Sequence, residues 1–204
     1  MSRPVRRLLS EGSFFLILLA FALLCGWEWL LAAALAAAVH EAGHLLLLRS
    51  FHAGQGRLRI DAAGLCWEQR GRLLSYGQEL AATLAGSAAN LLAALLLAAA
   101  AARTGWETGY FLAGTQLAPA LFNLLPVLPL DGAQALELLV AWLIEPVFAA
   151  RLTEAVSLLT LGLLLGSAVW FLALTGTGFL LIGTLALLGL SLREMGLVNR
   201  GERE

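Results

Sequence analysis

Long apolar stretches separated by short polar breaks dominate the chain, and they set its predicted elements before any single residue is considered. A helix needs roughly 20 apolar residues to cross the hydrocarbon core of a bilayer. Six runs approach that length, at 13–25, 29–48, 80–102, 109–130, 155–174 and 178–192. The fourth runs into Asp131-Gly132, and a helix-like piece at 133–144 completes it beyond a break. Thr175-Gly176-Thr177 reads as the turn of a closing helical hairpin over 155–192. The 49–79 connection is polar. Within it Arg57-Leu58-Arg59-Ile60-Asp61 alternates, Ala62-Ala63-Gly64 can turn and 65–69 continues, which fits a small β-hairpin and equally an irregular loop. The expected fold class is an all-α polytopic membrane protein of about six transmembrane helices, with a small β-hairpin at the cytoplasmic membrane surface. One integral-membrane domain is expected over 1–204, with its core at 29–135.

Composition agrees. Of 204 residues, 60% are hydrophobic and only 13% charged, too few for the polar shell of a water-soluble domain. Six spans with short connections consume the chain, so no appended soluble domain is expected. All thirteen basic residues are Arg. With the N-terminus inside, every one except Arg103 falls on the cytoplasmic side, as the positive-inside rule demands, and both termini are cytoplasmic. A net charge of -1 gives no reason to expect nucleic acid. Cys25 and Cys66 fall at different depths, which argues against a disulfide. Arg3, Arg6 and Arg7 before the first run suggest a signal peptide, but Cys25-Gly26-Trp27-Glu28 is a poor cleavage site, so the run is read as an anchor.

The second run carries His40-Glu41-Ala42-Gly43-His44. Residues four apart share one helix face, which lets two imidazoles bind one Zn²⁺. Glu41 beside them can take a proton from an activated water. An ionisable residue in a span costs on the order of 2.5–3.5 kcal/mol, so three within five residues require a shared explanation, and a metal supplies one. A catalytic zinc needs a third protein ligand. Leu47 and Ser50 stand where a metzincin would have Gly and His. Glu68 and Glu79 belong to the polar connection, and His52 reads as a surface histidine. Asp131 is the better candidate, because it ends an apolar run broken by Pro126 and Pro129, and irregular backbone at membrane depth is tolerated where it lines a polar cavity. Asp131 can also serve as the N-cap of the following helix.

HEAGH in one span and Asn123-Leu-Leu-Pro126-Val-Leu-Pro129-Leu-Asp131-Gly132 in a later one resemble the paired motifs of the site-2 protease family. Ala85-Gly86-Ser87-Ala88-Ala89-Asn90 resembles the family's Gly-Pro-x-x-Asn segment, and the small single-domain build is similar to the sporulation-type branch. The resemblance implies one zinc per chain held by His40, His44 and Asp131, with Glu41 activating the water. It implies that Asn90 and Asn123 bind the substrate, a membrane protein whose transmembrane segment can unwind. It further implies a multi-pass protein of the bacterial cell membrane and a regulatory membrane protein as partner. Ser87 replaces the usual Pro, and Ala133-Gln134 replaces Gly-Arg, departures that bear on substrate preference.

Two other classes fit parts of the pattern. A membrane metal-binding or transport protein would use the same ligands without hydrolysis, but transporters carry repeated halves with matching broken helices, and only one break is present. An inactive homologue that binds membrane segments has no need of Glu41.

Overall fold

The computed structural model describes residues 26–52, 57–61, 64–68 and 74–201. Among them are six helices and two strands: α1 (Trp27–Ser50), β1 (Arg57–Asp61), β2 (Gly64–Glu68), α2 (Tyr76–Thr104), α3 (Glu107–Asn123), α4 (Asp131–Leu143), α5 (Pro146–Thr175) and α6 (Phe179–Gly201). The two strands pair antiparallel, with Arg57 opposite Glu68 and Asp61 opposite Gly64. The predicted first run at 13–25 lies outside the described residues.

The expected class is corrected on its number of spans. Among the described residues four helices are long and apolar enough to cross a membrane: α1, α2, α5 and α6. The run at 109–130 is not one span. Its helix, α3, has 17 residues, contains Pro119 and stops at Asn123. Pro126 and Pro129 lack the N–H that a helix needs. The intervening backbone bonds locally instead, Val127 N–H donating to the Leu125 carbonyl and Leu130 N–H to that of Val127, both at 2.8 Å. The next helix begins at Asp131, so this residue is the first helical position and Leu130 the N-cap, contrary to the expected capping role. A carboxylate there still faces the positive end of the helix dipole.

Helix boundaries follow from local chemistry. α2 starts at a reciprocal capping box between Ser75 and Gln78, and ends where Gly105 takes φ 71°. α5 starts with Pro146 behind Glu145, whose carboxylate accepts from Phe148 N–H at 3.2 Å. It ends at Gly176, also φ 71°.

The chain forms two compact units, Met1–Ala120 and Leu121–Glu204. In the first, α1 packs against α2: Gly86 faces His40 and His44 across the interface, and Ala32 and Ala36 on one helix and Ala82 and Ala94 on the other are buried. Gly43 sets the spacing. A Cβ there would meet the Ala85 carbonyl oxygen and stand 2.8 Å from the Ala89 Cβ. Such close approach suits membrane helices, which gain nothing from burying Leu against Leu in lipid and associate by packing. Trp29 and Phe111 meet edge to face, 4.6 Å apart, in the same unit.

In the second unit, Val127 is buried with Leu161 and Leu187, and Leu128 with Ala133 and Met195, so the irregular segment is held by α4, α5 and α6. A Cβ on Gly132 would collide with the Leu124 carbonyl, so only glycine can follow Asp131 at this approach. Large apolar side chains point outward on every long helix, among them Leu46, Leu95, Leu163 and Ile182. With four apolar helices, this marks an integral membrane protein, for which lipid is the solvent.

Gly43→Val is expected to destabilise the protein by about 1–3 kcal/mol, the usual cost of forcing atoms into a packed contact. Thermal unfolding in detergent checks it: a melting temperature equal to wild type would show that α1 and α2 do not depend on this contact.

Candidate metal centre

His40 and His44 both lie on the α1 face turned to α2, His40 being 8% exposed and His44 half-buried. Their Nε2 atoms stand 3.1 Å apart. Two nitrogens at about 2.0–2.1 Å from one tetrahedral zinc would be about 3.3 Å apart, so the pair is close to the spacing of two ligands on one ion. His44 Nδ1 lies 2.7 Å from the Ala82 carbonyl oxygen, an atom that only accepts, so Nδ1 carries the proton. In the neutral ring Nε2 is then left with its lone pair. A backbone acceptor behind a ligating imidazole fixes its tautomer and its orientation.

Gly86 faces both rings. A Cβ at that position would collide with His44 Nε2 and stand 2.8 Å from His40 Cε1 and Nε2. The space beside the two nitrogens exists because residue 86 has no side chain. Ser87 and Asn90 are buried on the same helix, at 1% and 0% exposure. Asn90 is one turn beyond Gly86, and neither its Oδ1 nor its Nδ2 has a hydrogen-bond partner among the described residues. An unsatisfied buried amide costs roughly 1–3 kcal/mol, so such a group persists where a ligand or water uses it.

Glu41 is half-buried on α1. Asp131 and Asn123 belong to the second unit, Asp131 opening α4 and Asn123 closing α3, and both are half-buried. His40, His44 and Asp131 supply two imidazole nitrogens and a carboxylate oxygen, a donor set that could hold a metal ion. Of the residues weighed against Asp131, His52 is exposed just past the end of α1 at φ 53°, and Glu79 lies in the first turn of α2. The side chain of Glu68 is outside the described residues. Ala82 acts through its carbonyl and leaves no side-chain signal in the sequence, and the role of Gly86 lies in the side chain that it lacks.

No family model matches the chain, and no curated protein matches it. Among solved structures, the site-2 protease from Methanocaldococcus jannaschii is similar, with a TM-score of 0.66 at 15% identity. The match covers 94% of this chain and 88% of that one. A likeness at this identity shows a shared fold and no more.

Gly86→Ala is expected to displace both rings and weaken metal retention roughly 10–100-fold, the range found when the support of a ligating histidine is lost. Metal titration of the purified variant reads this out, with circular dichroism as a check on helicity. Wild-type affinity in a folded variant would show that residue 86 leaves the histidines alone.

Proposed function

We propose that the chain is an intramembrane zinc metalloprotease that hydrolyses a peptide bond in or near the transmembrane segment of another membrane protein. The observation that carries this reading is the paired Nε2 atoms of His40 and His44, 3.1 Å apart inside an apolar helix, with the His44 tautomer fixed by Ala82. The fold shared with a site-2 protease supports it.

His40, His44 and Asp131 would hold one zinc per chain. When bound, the ion would supply Lewis acidity, which lowers the pKa of a water to about 7. Glu41, beside His40 on α1, takes the proton of the attacking water and delivers it to the nitrogen of the departing amine. Ala82 keeps the His44 ring from rotating as charge builds. Asn90 and Asn123 bind the substrate backbone; the amide of Asn90, unsatisfied within its own unit, donates to the carbonyl oxygen that gains charge. A helical substrate hides its carbonyls in hydrogen bonds, so the segment cut must unwind first. The setting we propose is regulated intramembrane proteolysis in a bacterial cell membrane, with both termini cytoplasmic and a regulatory membrane protein as partner. A carrier that binds metal without hydrolysis has no use for Glu41.

The test compares wild type, Glu41→Gln and Asp131→Ala for zinc content and for cleavage of a membrane-protein substrate. Glu41→Gln is expected to retain zinc and lose at least about 100-fold in rate, the scale of general base catalysis. Asp131→Ala is expected to lose both. Equal cleavage by wild type and Glu41→Gln would end the protease reading, and full zinc in Asp131→Ala would remove Asp131 from the ligand set.

A further inference from the structure

We propose that Thr153, Ser157 and Ser191 form a buried water-binding site in the seam between α5 and α6, bracing the segment that leads into Asp131. All three are 0% exposed. Other hydroxyls on these two helices follow the usual habit of spans and donate to a carbonyl three or four residues back: Thr160, Ser167, Thr175 and Thr184 do so at 2.8–2.9 Å. Thr153 Oγ1 and Ser191 Oγ depart from it. Neither has a hydrogen-bond partner among the described residues. Ser157 Oγ accepts from Leu128 N–H at 3.2 Å, which leaves its own O–H to be donated.

The register of the hairpin brings these groups together. α5 and α6 run antiparallel from the turn at Gly176, with Gly178 against Leu172 and Phe171 against Phe179. Leu161 packs with Leu187 deeper in the seam. One helical turn further from the hairpin tip, Ser157 on α5 is level with Ser191 on α6. A second turn brings Thr153 level with Met195, which is buried with Leu128. Three hydroxyls therefore share one seam within about a turn of each other, beside the Leu128 amide. A buried water makes about three hydrogen bonds to otherwise unsatisfied groups. Three hydroxyls offer that number, whereas a dry seam leaves two of them as a standing cost. The water ties α5 and α6 to each other and, through Ser157, to Leu128, three residues before Asp131. That last consequence for metal binding rests on the reading above; the water site itself does not.

The test uses the full chain in detergent and compares Thr153→Val, Ser191→Ala, the double variant and Thr153→Ser. A shared water predicts that each apolar variant melts about 2–4 °C lower, and that the double variant loses clearly less than the sum. Thr153→Ser, which keeps the hydroxyl, is expected to melt with wild type. Unchanged or higher melting temperatures in both single variants would mean a dry seam and overturn the proposal. Strictly additive losses would mean separate backbone bonds and overturn it too. A crystal structure grown from lipid is expected to carry water density within hydrogen-bond distance of all three oxygens; hydroxyls bonded to helix carbonyls with no such density contradict the site. These readouts need neither zinc nor cleavage, so the proposal can fail while the protease reading stands, and the reverse.

Discussion

The approach of α1 to α2 governs what the first unit can do. Two glycines permit it, one on each helix: Gly43, against the Ala85 backbone, and Gly86, against the two imidazoles. With the helices this close, His44 reaches the Ala82 carbonyl across the interface and its ring is held in one tautomer. A larger residue at either glycine would part the helices or displace the rings. Lipid offers no hydrophobic reward for helix association, so contacts of this kind and the polar bonds that they allow decide which faces meet. The same interface that holds α1 to α2 therefore orients the two histidines.

The second unit solves a different problem, that of keeping non-helical backbone among apolar helices. Its N–H and C=O groups must find partners, since lipid supplies none. Residues 124–130 do this by short local bonds, by the bond from Leu128 N–H to Ser157 Oγ, and by burying Val127 and Leu128 against α4, α5 and α6. Gly132 then lets α4 start hard against the Leu124 carbonyl. Asp131, at the first position of that helix, faces the positive end of the helix dipole.

Much of this was legible because ionisable residues are conspicuous in apolar runs. His40, Glu41 and His44 needed only the helical period to be placed on one helix, and the two long spans that pack together matched their predicted runs within a few residues. The fourth run misled for the same reason. Residues 124–130 are as apolar as any span, and hydropathy does not record which backbone groups have partners; Pro126 and Pro129 carried that information, and their effect was to end the helix rather than interrupt it. Roles that depend on a missing side chain or on a backbone atom were hidden. Gly86 reads as packing until the rings are seen against it, and Ala82 reads as nothing at all. Thr153 and Ser191 look like ordinary hydroxyls of a span, since whether such a group bonds its own helix is settled by its rotamer.

In the proposed site, two imidazoles and one carboxylate of this chain hold a single zinc. X-ray absorption at the zinc edge of the purified, zinc-loaded wild-type protein tests it most directly. One zinc per chain is expected, with two histidine nitrogens at about 2.0–2.1 Å and oxygen ligands at about 2.0–2.2 Å. A shell with one imidazole or none, a sulfur scatterer near 2.3 Å, or a protein that keeps no zinc after dialysis would contradict it.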